Sequence, residues 1–308
     1  MKSGKLLVVA VLVLATAACG GGEEKSGGGQ GLSGEIAIDG SSTVAPFAQA
    51  AAETFKQENP EVNVTVGTSG TGGGFEKFCA GETDISDASR PIDEKDEVPV
   101  CEEKGISYKE VQVANDGIAV ATNKELAIDC LTTDQLKELW NEGSDVKSYK
   151  DIDAKLPDQE VSLFGAGTDS GTFDFFTDEI NGEEGVTRKD YQPSEDDNVL
   201  VQGVSGDKGG LGYFGFSYFE QSKDKLNAVG VDAGDGCVKP SLETIQAGDY
   251  KPLSRPLFMY PSEKGLTKPE VKAFMDFVVE NQQQIAEAAQ IVPLTEEQAG
   301  KSKEALGS

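Results

Sequence analysis

The chain has 308 residues, a sequence pI near 4.3, a formal charge of −27 and no histidine. That length suggests one large domain or two of ordinary size, and 37% hydrophobic residues rule out wholesale disorder. The missing histidine excludes Ser-His-Asp and Cys-His catalysis, His-ligated metal sites and a His pH switch. The acidic balance makes nucleic acid a poor partner, because its phosphates repel the chain.

The first segment reads as an address. Lys2 and Lys5 precede an apolar run from Leu6 to Ala15, and Thr16-Ala17-Ala18-Cys19 follows. A basic end, a short apolar stretch and then small residues form a secretory signal, residues 1–18, too short for a transmembrane helix. Cys19 after two alanines resembles a bacterial lipobox, whose cysteine is lipidated; the alternative is an ordinary cleaved signal with an incidental cysteine. Residues 19–31 are glycine-rich and read as a flexible tether. Removing residues 1–18 takes away two lysines and no acid, which moves the formal side-chain charge from −27 to −29.

Strand and helix patterns then alternate. Glu35–Ile38 alternates like a strand, and Val44, Phe47, Ala51 and Phe55 recur at helical spacing up to Asn59-Pro60. A strand at 62–66, a short helix carrying Phe75, Phe78 and Cys79, and a strand at 84–88 come next. Val111–Ala114 and Ile118–Ala121 read as two further strands. Thr132-x-x-Gln135 predicts a capping box ahead of Leu136, Leu139 and Trp140. Val161–Phe164, Leu211–Phe216, Ala228–Val231 and Arg255–Tyr260 read as strands, and Phe173–Ile180 as a helix. Thr267-x-x-Glu270 predicts a second capping box, opening a helix with Val271, Phe274, Met275, Val278 and Val279 on one stripe. Repeated strand–helix units imply a mostly parallel α/β sheet in two lobes, 32–116 plus 255–308 and 117–254. Cys79, Cys101, Cys130 and Cys237 allow three disulfide connectivities. Cys79–Cys101 and Cys130–Cys237 are preferred because each then falls within one lobe, stabilising by roughly 3 and 4.7 kcal/mol. No cysteine pair has C-x-x-C spacing, so no metal site is expected.

Three loops rich in hydroxyls and glycine carry the chemistry: Gly40–Thr43, Gly67–Gly74 and Thr168–Thr172. Each follows a strand and precedes a helix. Free backbone N–H groups at a helix start, with glycine for close approach and Ser or Thr as extra donors, suit an anion. Arg90 adds a two-pronged partner for an oxyanion.

The runs Asp39–Pro46, Gly67–Phe75, Thr83–Pro91 and Gly167–Phe173, in this order and spacing, resemble the phosphate-binding protein of bacterial phosphate ABC importers, across essentially the whole mature chain. The resemblance implies a type II periplasmic-binding-protein fold, two α/β lobes closing on one phosphate. The implied ligands are Ser42, Thr43 and the Val44 N–H, with Ser69, Gly70 and Thr71, Ser89 and Arg90, then Ser170, the Gly171 N–H and Thr172. Better-known members carry an Asp where Ser89 stands and an Arg where Ala166 stands; the Asp accepts the phosphate proton. Asp87 and Asp169 are candidates for that acceptor here. The resemblance further implies an extracytoplasmic lipoprotein anchored through Cys19, monomeric, without cofactor or catalysis, partnered by a membrane permease and an ATPase. Alternatives are a binding protein for sulfate or molybdate and a surface phosphate sensor or adhesin. Asp169-Ser170-Gly171-Thr172 also matches the acid-protease string, but no second copy exists, and the loop at 67–74 lacks the Lys-Ser/Thr ending of a P-loop.

Overall fold

The computed structural model describes residues 31–307. The expected signal, Cys19 and all but the last residue of the tether lie outside them. In chain order the strands are β1 (Ser33–Gly40), β2 (Glu61–Gly67), β3 (Ile85–Ala88), β4 (Val111–Asn123), β5 (Cys130–Thr132), β6 (Ser162–Ala166), β7 (Gln192–Ser194), β8 (Gly210–Gly215), β9 (Leu226–Ala228), β10 (Gly230–Asp232), β11 (Cys237–Val238) and β12 (Ser254–Pro261). The α-helices are α1 (Ala45–Glu58), α2 (Gly70–Cys79), α3 (Val98–Glu103), α4 (Thr133–Trp140), α5 (Gly171–Phe176), α6 (Asp197–Gly206), α7 (Phe216–Ser222), α8 (Leu242–Gln246), α9 (Pro269–Ala288) and α10 (Glu296–Leu306).

One curled sheet runs in the order β2-β1-β3-β12-β4-β8-β6-β7, with β9 also on β4. Its ends are parallel, β1 with β2 and β3, and β6 with β7 and β8. Its middle is antiparallel, because β12 runs against β3 and β4, and β4 against β8. The α/β pattern read from the sequence therefore holds, with the parallel pairing concentrated at the two ends. A small second sheet joins β11, β10 and β5.

Apolar side chains collect into separate cores. One surrounds Ile36, Phe47, Phe55, Met259 and Phe274, with a satellite of Phe75, Phe78 and Tyr260 beside it. The other gathers Ile118, Trp140, Phe176, Tyr213 and Tyr250, and takes Val292 from the C-terminal region. The predicted stripe on α9 is fully used: Val271, Phe274, Met275, Val278 and Val279 are all buried, each contributing about 1.5–3 kcal/mol. Both preferred disulfides are present, Cys79–Cys101 and Cys130–Cys237.

Three local readings change. The strands expected at 111–114 and 118–121 are one strand, β4. Asn115-Asp116-Gly117 has turn chemistry, but β12 pairs straight across it, Pro256 with Asn115, Arg255 with Asp116 and Ser254 with Gly117. The strand expected at 228–231 is two, β9 on β4 and β10 in the small sheet. The capping box at Thr267 does not form. Pro269 opens α9 after Lys268, and the Thr267 hydroxyl donates to the Lys264 carbonyl at 2.7 Å instead. The box at Thr132 does form, with Gln135 returning the bond.

Candidate functional site

The register of the parallel strands brings the first loops together. Asp39 at the end of β1 pairs with Gly67 at the end of β2, and Gly40 pairs with Asp87 at the end of β3. Everything that follows these strands therefore emerges on one edge, where open α/β sheets bind ligands. The Ser41 N–H fixes the first loop by donating to the Asp87 carbonyl at 2.9 Å.

These loops border a cavity of about 460 Å³. Ser41, Ser42 and Thr43 from the first loop line it, with Ser69 to Gly73 from the second, Ser89 and Arg90 after β3, and Gly171 at the start of α5. Gly70 enters α2 with φ +79°, a conformation glycine supplies without strain. Gly171 packs directly on the first loop: a Cβ there would sit 2.7 Å from the Thr43 backbone nitrogen and 2.8 Å from the Ser42 hydroxyl. Of the residues expected from the sequence, Val44, Ser170 and Thr172 do not line the cavity. Ser170 caps α5 by accepting from the Thr172 N–H at 3.2 Å.

The hydroxyls are held in place. Thr71 and Ser89 share a bond at 3.1 Å, and the Ser89 N–H donates to the Thr71 hydroxyl at 3.2 Å. Ser69 is turned towards Asp39, which takes both its N–H and its hydroxyl and also pairs with Lys77 at 2.7 Å. Arg90 forks onto Glu97 at 2.7 and 2.9 Å, and that carboxylate holds the guanidinium above its ordinary range.

Arg255, at the start of β12, is the cation that sequence reasoning passed over. It lies where the first and third loops meet, with its side chain 17% exposed. Its guanidinium donates to the Thr43 hydroxyl at 2.7 Å and to Asp116 at 3.3 Å, and stacks 3.6 Å from the centre of the Phe175 ring. Burial pulls its pKa down and Asp116 opposes the shift, yet a guanidinium stays protonated in proteins. One signal for it was present. The chain has three arginines, and two stand in the same tripeptide, Ser89-Arg90-Pro91 and Ser254-Arg255-Pro256. All six of those residues line the cavity. The third, Arg188, is buried against Asp190.

The two acceptor candidates lie elsewhere. Asp87 is fully buried in β3, outside the cavity lining, and neither carboxyl oxygen has a hydrogen-bond partner among the described residues. Burial pushes its pKa well up, and the charge of Asp39 adds to that. Asp169 is exposed at the third loop, also outside the lining, with its N–H 3.3 Å from Glu195. The carboxylates that do line the cavity are Asp174, Asp178, Glu179 and Glu184.

Residues 25–282 match the PBP superfamily domain. The chain is 44% identical to Protein SphX of Synechococcus elongatus over 84% of its own length and 77% of that protein. It is 41% identical to Phosphate-binding protein PstS of Staphylococcus saprophyticus over 89% of its length and 86% of that protein. The chain belongs to the PBP superfamily, among the PstS and SphX proteins. A solved structure from Planctomyces limnophilus, given there as a possible phosphate binding protein, is 44% identical, with a TM-score of 0.85 over 90% of this chain and 98% of that one. The cavity lies beyond the carboxyl ends of β1, β2, β3 and β6. No helix among the described residues is long and apolar enough to cross a membrane.

Proposed function

We propose that this protein captures inorganic phosphate in the cavity and hands it to a membrane importer. The observation that carries the reading is the lining itself: backbone and hydroxyl donors of three strand-to-helix loops border one cleft together with Arg255 and Arg90. Thr43, Thr71, Ser89 and Gly171 are the contacts nearest to a shared anion, and Ser42, Ser69 and Gly70 complete the rim. Hydrogen bonds to a charged ligand contribute about 1.5–3 kcal/mol each, and micromolar affinity needs only about 8 kcal/mol. Half a dozen bonds suffice once desolvation and ordering are subtracted.

The lobes act as the closing units, 32–116 plus 255–308 against 117–254, with β4 and β12 crossing between them. Phosphate binds the closed arrangement better and so favours it. Capture and release break no bond, so the reading is of a receptor and not an enzyme. The name of the Staphylococcus saprophyticus relative, phosphate-binding protein, supports the same ligand. The leader and Cys19 support export, lipidation and anchoring at the outer face of the membrane, beside a permease and an ATPase. Calorimetric titration of the purified, ligand-stripped protein at pH 7–8 tests this. One phosphate should bind with micromolar or tighter affinity and sulfate should give no heat; absence of phosphate binding sinks the reading.

A further inference from the structure

Arg90 and Arg255 both line the cavity, and the protein holds them by different means. Glu97 takes both prongs of Arg90 and so uses donors that an anion would need. Arg255 is held in part by a ring. The centre of the Phe175 ring lies 3.6 Å from its guanidinium carbon, whereas the Phe75 ring lies 5.8 Å from that of Arg90. A stacked ring touches the face of a guanidinium, and the N–H groups point outward in the plane. Stacking therefore fixes orientation without consuming a donor.

We infer that Phe175 is a positioning residue for phosphate: its ring sets the plane of the Arg255 guanidinium so that Nη1 is aimed at the anion. The inference rests on the phosphate reading. The packing of α5 sets Phe175 apart from its neighbours. Phe173 and Phe176 lie about one turn apart and are both buried. Phe176 stacks on Tyr213 at 3.7 Å and meets Trp140 edge-on at 5.5 Å. Phe175 has no aromatic partner among the described residues, and of the three it alone lines the cavity. The face of its ring is met by Arg255.

The hydrogen bonds of Arg255 show what the ring adds. Nε donates to Asp116 at 3.3 Å, and Nη2 donates to the Thr43 hydroxyl at 2.7 Å and the Gly171 carbonyl at 3.5 Å. Nη1 carries two further N–H groups and has no partner among the described residues. Anchors at Asp116 and Thr43 set where the guanidinium lies but leave it free to tilt about the line between them. The ring removes that freedom. An anion bound beside Thr43 and Gly171 then meets a donor already in place, so less freedom is lost on binding. The ring is also an apolar wall, beside which a charge-assisted hydrogen bond is stronger than in water.

Phe175→Leu keeps an apolar side chain and removes the ring, and Phe175→Tyr keeps the ring. Lysine at position 255 keeps the charge and has no plane to set. Calorimetric titration with phosphate compares wild type, Phe175→Leu, Phe175→Tyr, Arg255→Lys and the double variant Phe175→Leu with Arg255→Lys, with thermal melting as the check of folding. Phe175→Leu should weaken binding roughly five- to thirtyfold, and Phe175→Tyr by less than about threefold. In the Arg255→Lys background the leucine substitution should cost less than about threefold. An equal loss in both backgrounds would mean that the ring only packs, and overturns the inference. Wild-type affinity in Phe175→Leu overturns it too, as does a folded Phe175→Tyr that binds as weakly as Phe175→Leu. Wild type that binds no phosphate overturns the phosphate reading, and the inference falls with it. A crystal structure of wild type with phosphate answers without a variant. Nη1 should lie about 2.7–2.9 Å from a phosphate oxygen, with the Phe175 ring still against the guanidinium face. A phosphate outside the reach of Nη1, or a ring moved off that face, overturns the inference.

Discussion

Arg255 and Arg90 carry the same charge into one cavity, but their neighbours set them unequal tasks. Glu97 already occupies both prongs of Arg90. Arg255 has its contacts spread over Thr43, Asp116 and the Phe175 ring, and so joins the first loop, β4 and α5 at the place where an anion would sit. Lysine keeps the charge and loses the planar fork. Arg255→Lys is therefore expected to weaken phosphate binding roughly ten- to a hundredfold, and Arg90→Lys less. Calorimetric titration ranks the two, and the reverse order would move the anion towards β3. Asp87 raises a different question, about stability. Its native pKa lies well above the unfolded value because the carboxyl is buried without a partner. The folded chain then keeps a proton that the unfolded chain releases above about pH 4. Stability is lost as pH rises from there to the native pKa, by up to about 1.4 kcal/mol per pH unit. Asp87→Asn cannot titrate, so its advantage over wild type should be larger at pH 7.5 than at pH 4.5 in urea unfolding; parallel pH profiles for the two proteins would refute the assignment.

At the scale of elements, Gly171 does the joining. Its lack of a side chain lets the start of α5 rest on Ser42 and Thr43. In Gly171→Ala the new Cβ meets the Thr43 and Ser42 hydroxyls and also the Thr43 backbone nitrogen, which cannot swing aside as a side chain tip could. The variant should fold with near-wild-type melting and bind phosphate at least roughly tenfold more weakly; unchanged affinity would mean that the loops need not touch. This loop was legible in the sequence because its signals are local: hydroxyls and glycines between a strand and a helix. The same holds for the first two loops, the Thr132 capping box and the α9 stripe. Arg255 and the unbroken β4 were not legible, for one shared reason. Asn115-Asp116-Gly117 reads as a turn until β12, some 140 residues later, pairs across it, and only that pairing places Arg255 against Asp116. Thr267 failed in the opposite direction. A local motif was present, but Pro269 set the helix start one residue later, with Lys268 as its N-cap.

For the whole molecule, net charge and local charge pull phosphate in opposite directions. The chain carries a formal −27, and the cavity itself is lined by four carboxylates against two arginines. Neither the distant field nor the immediate lining attracts an anion by charge alone. Binding must then come from donors acting at contact distance, while the field slows approach. Salt separates the two contributions, because the screening length falls from about 30 Å at 0.01 M to about 8 Å at 0.15 M. Contact hydrogen bonds inside the cavity lie well within the shorter length and are little affected. The repulsion summed over the surface is largely removed. The phosphate association rate, followed by stopped-flow mixing in sodium chloride, should therefore rise with ionic strength by roughly two- to tenfold over that range, opposite in sign to the usual behaviour of an anion receptor with a basic mouth. Dissociation should change less, since it depends on the closed contacts of Arg255, Thr43 and Gly171. A rate that falls as salt is added would show that Arg90 and Arg255 dominate the field at the mouth and that the acids are spread away from it.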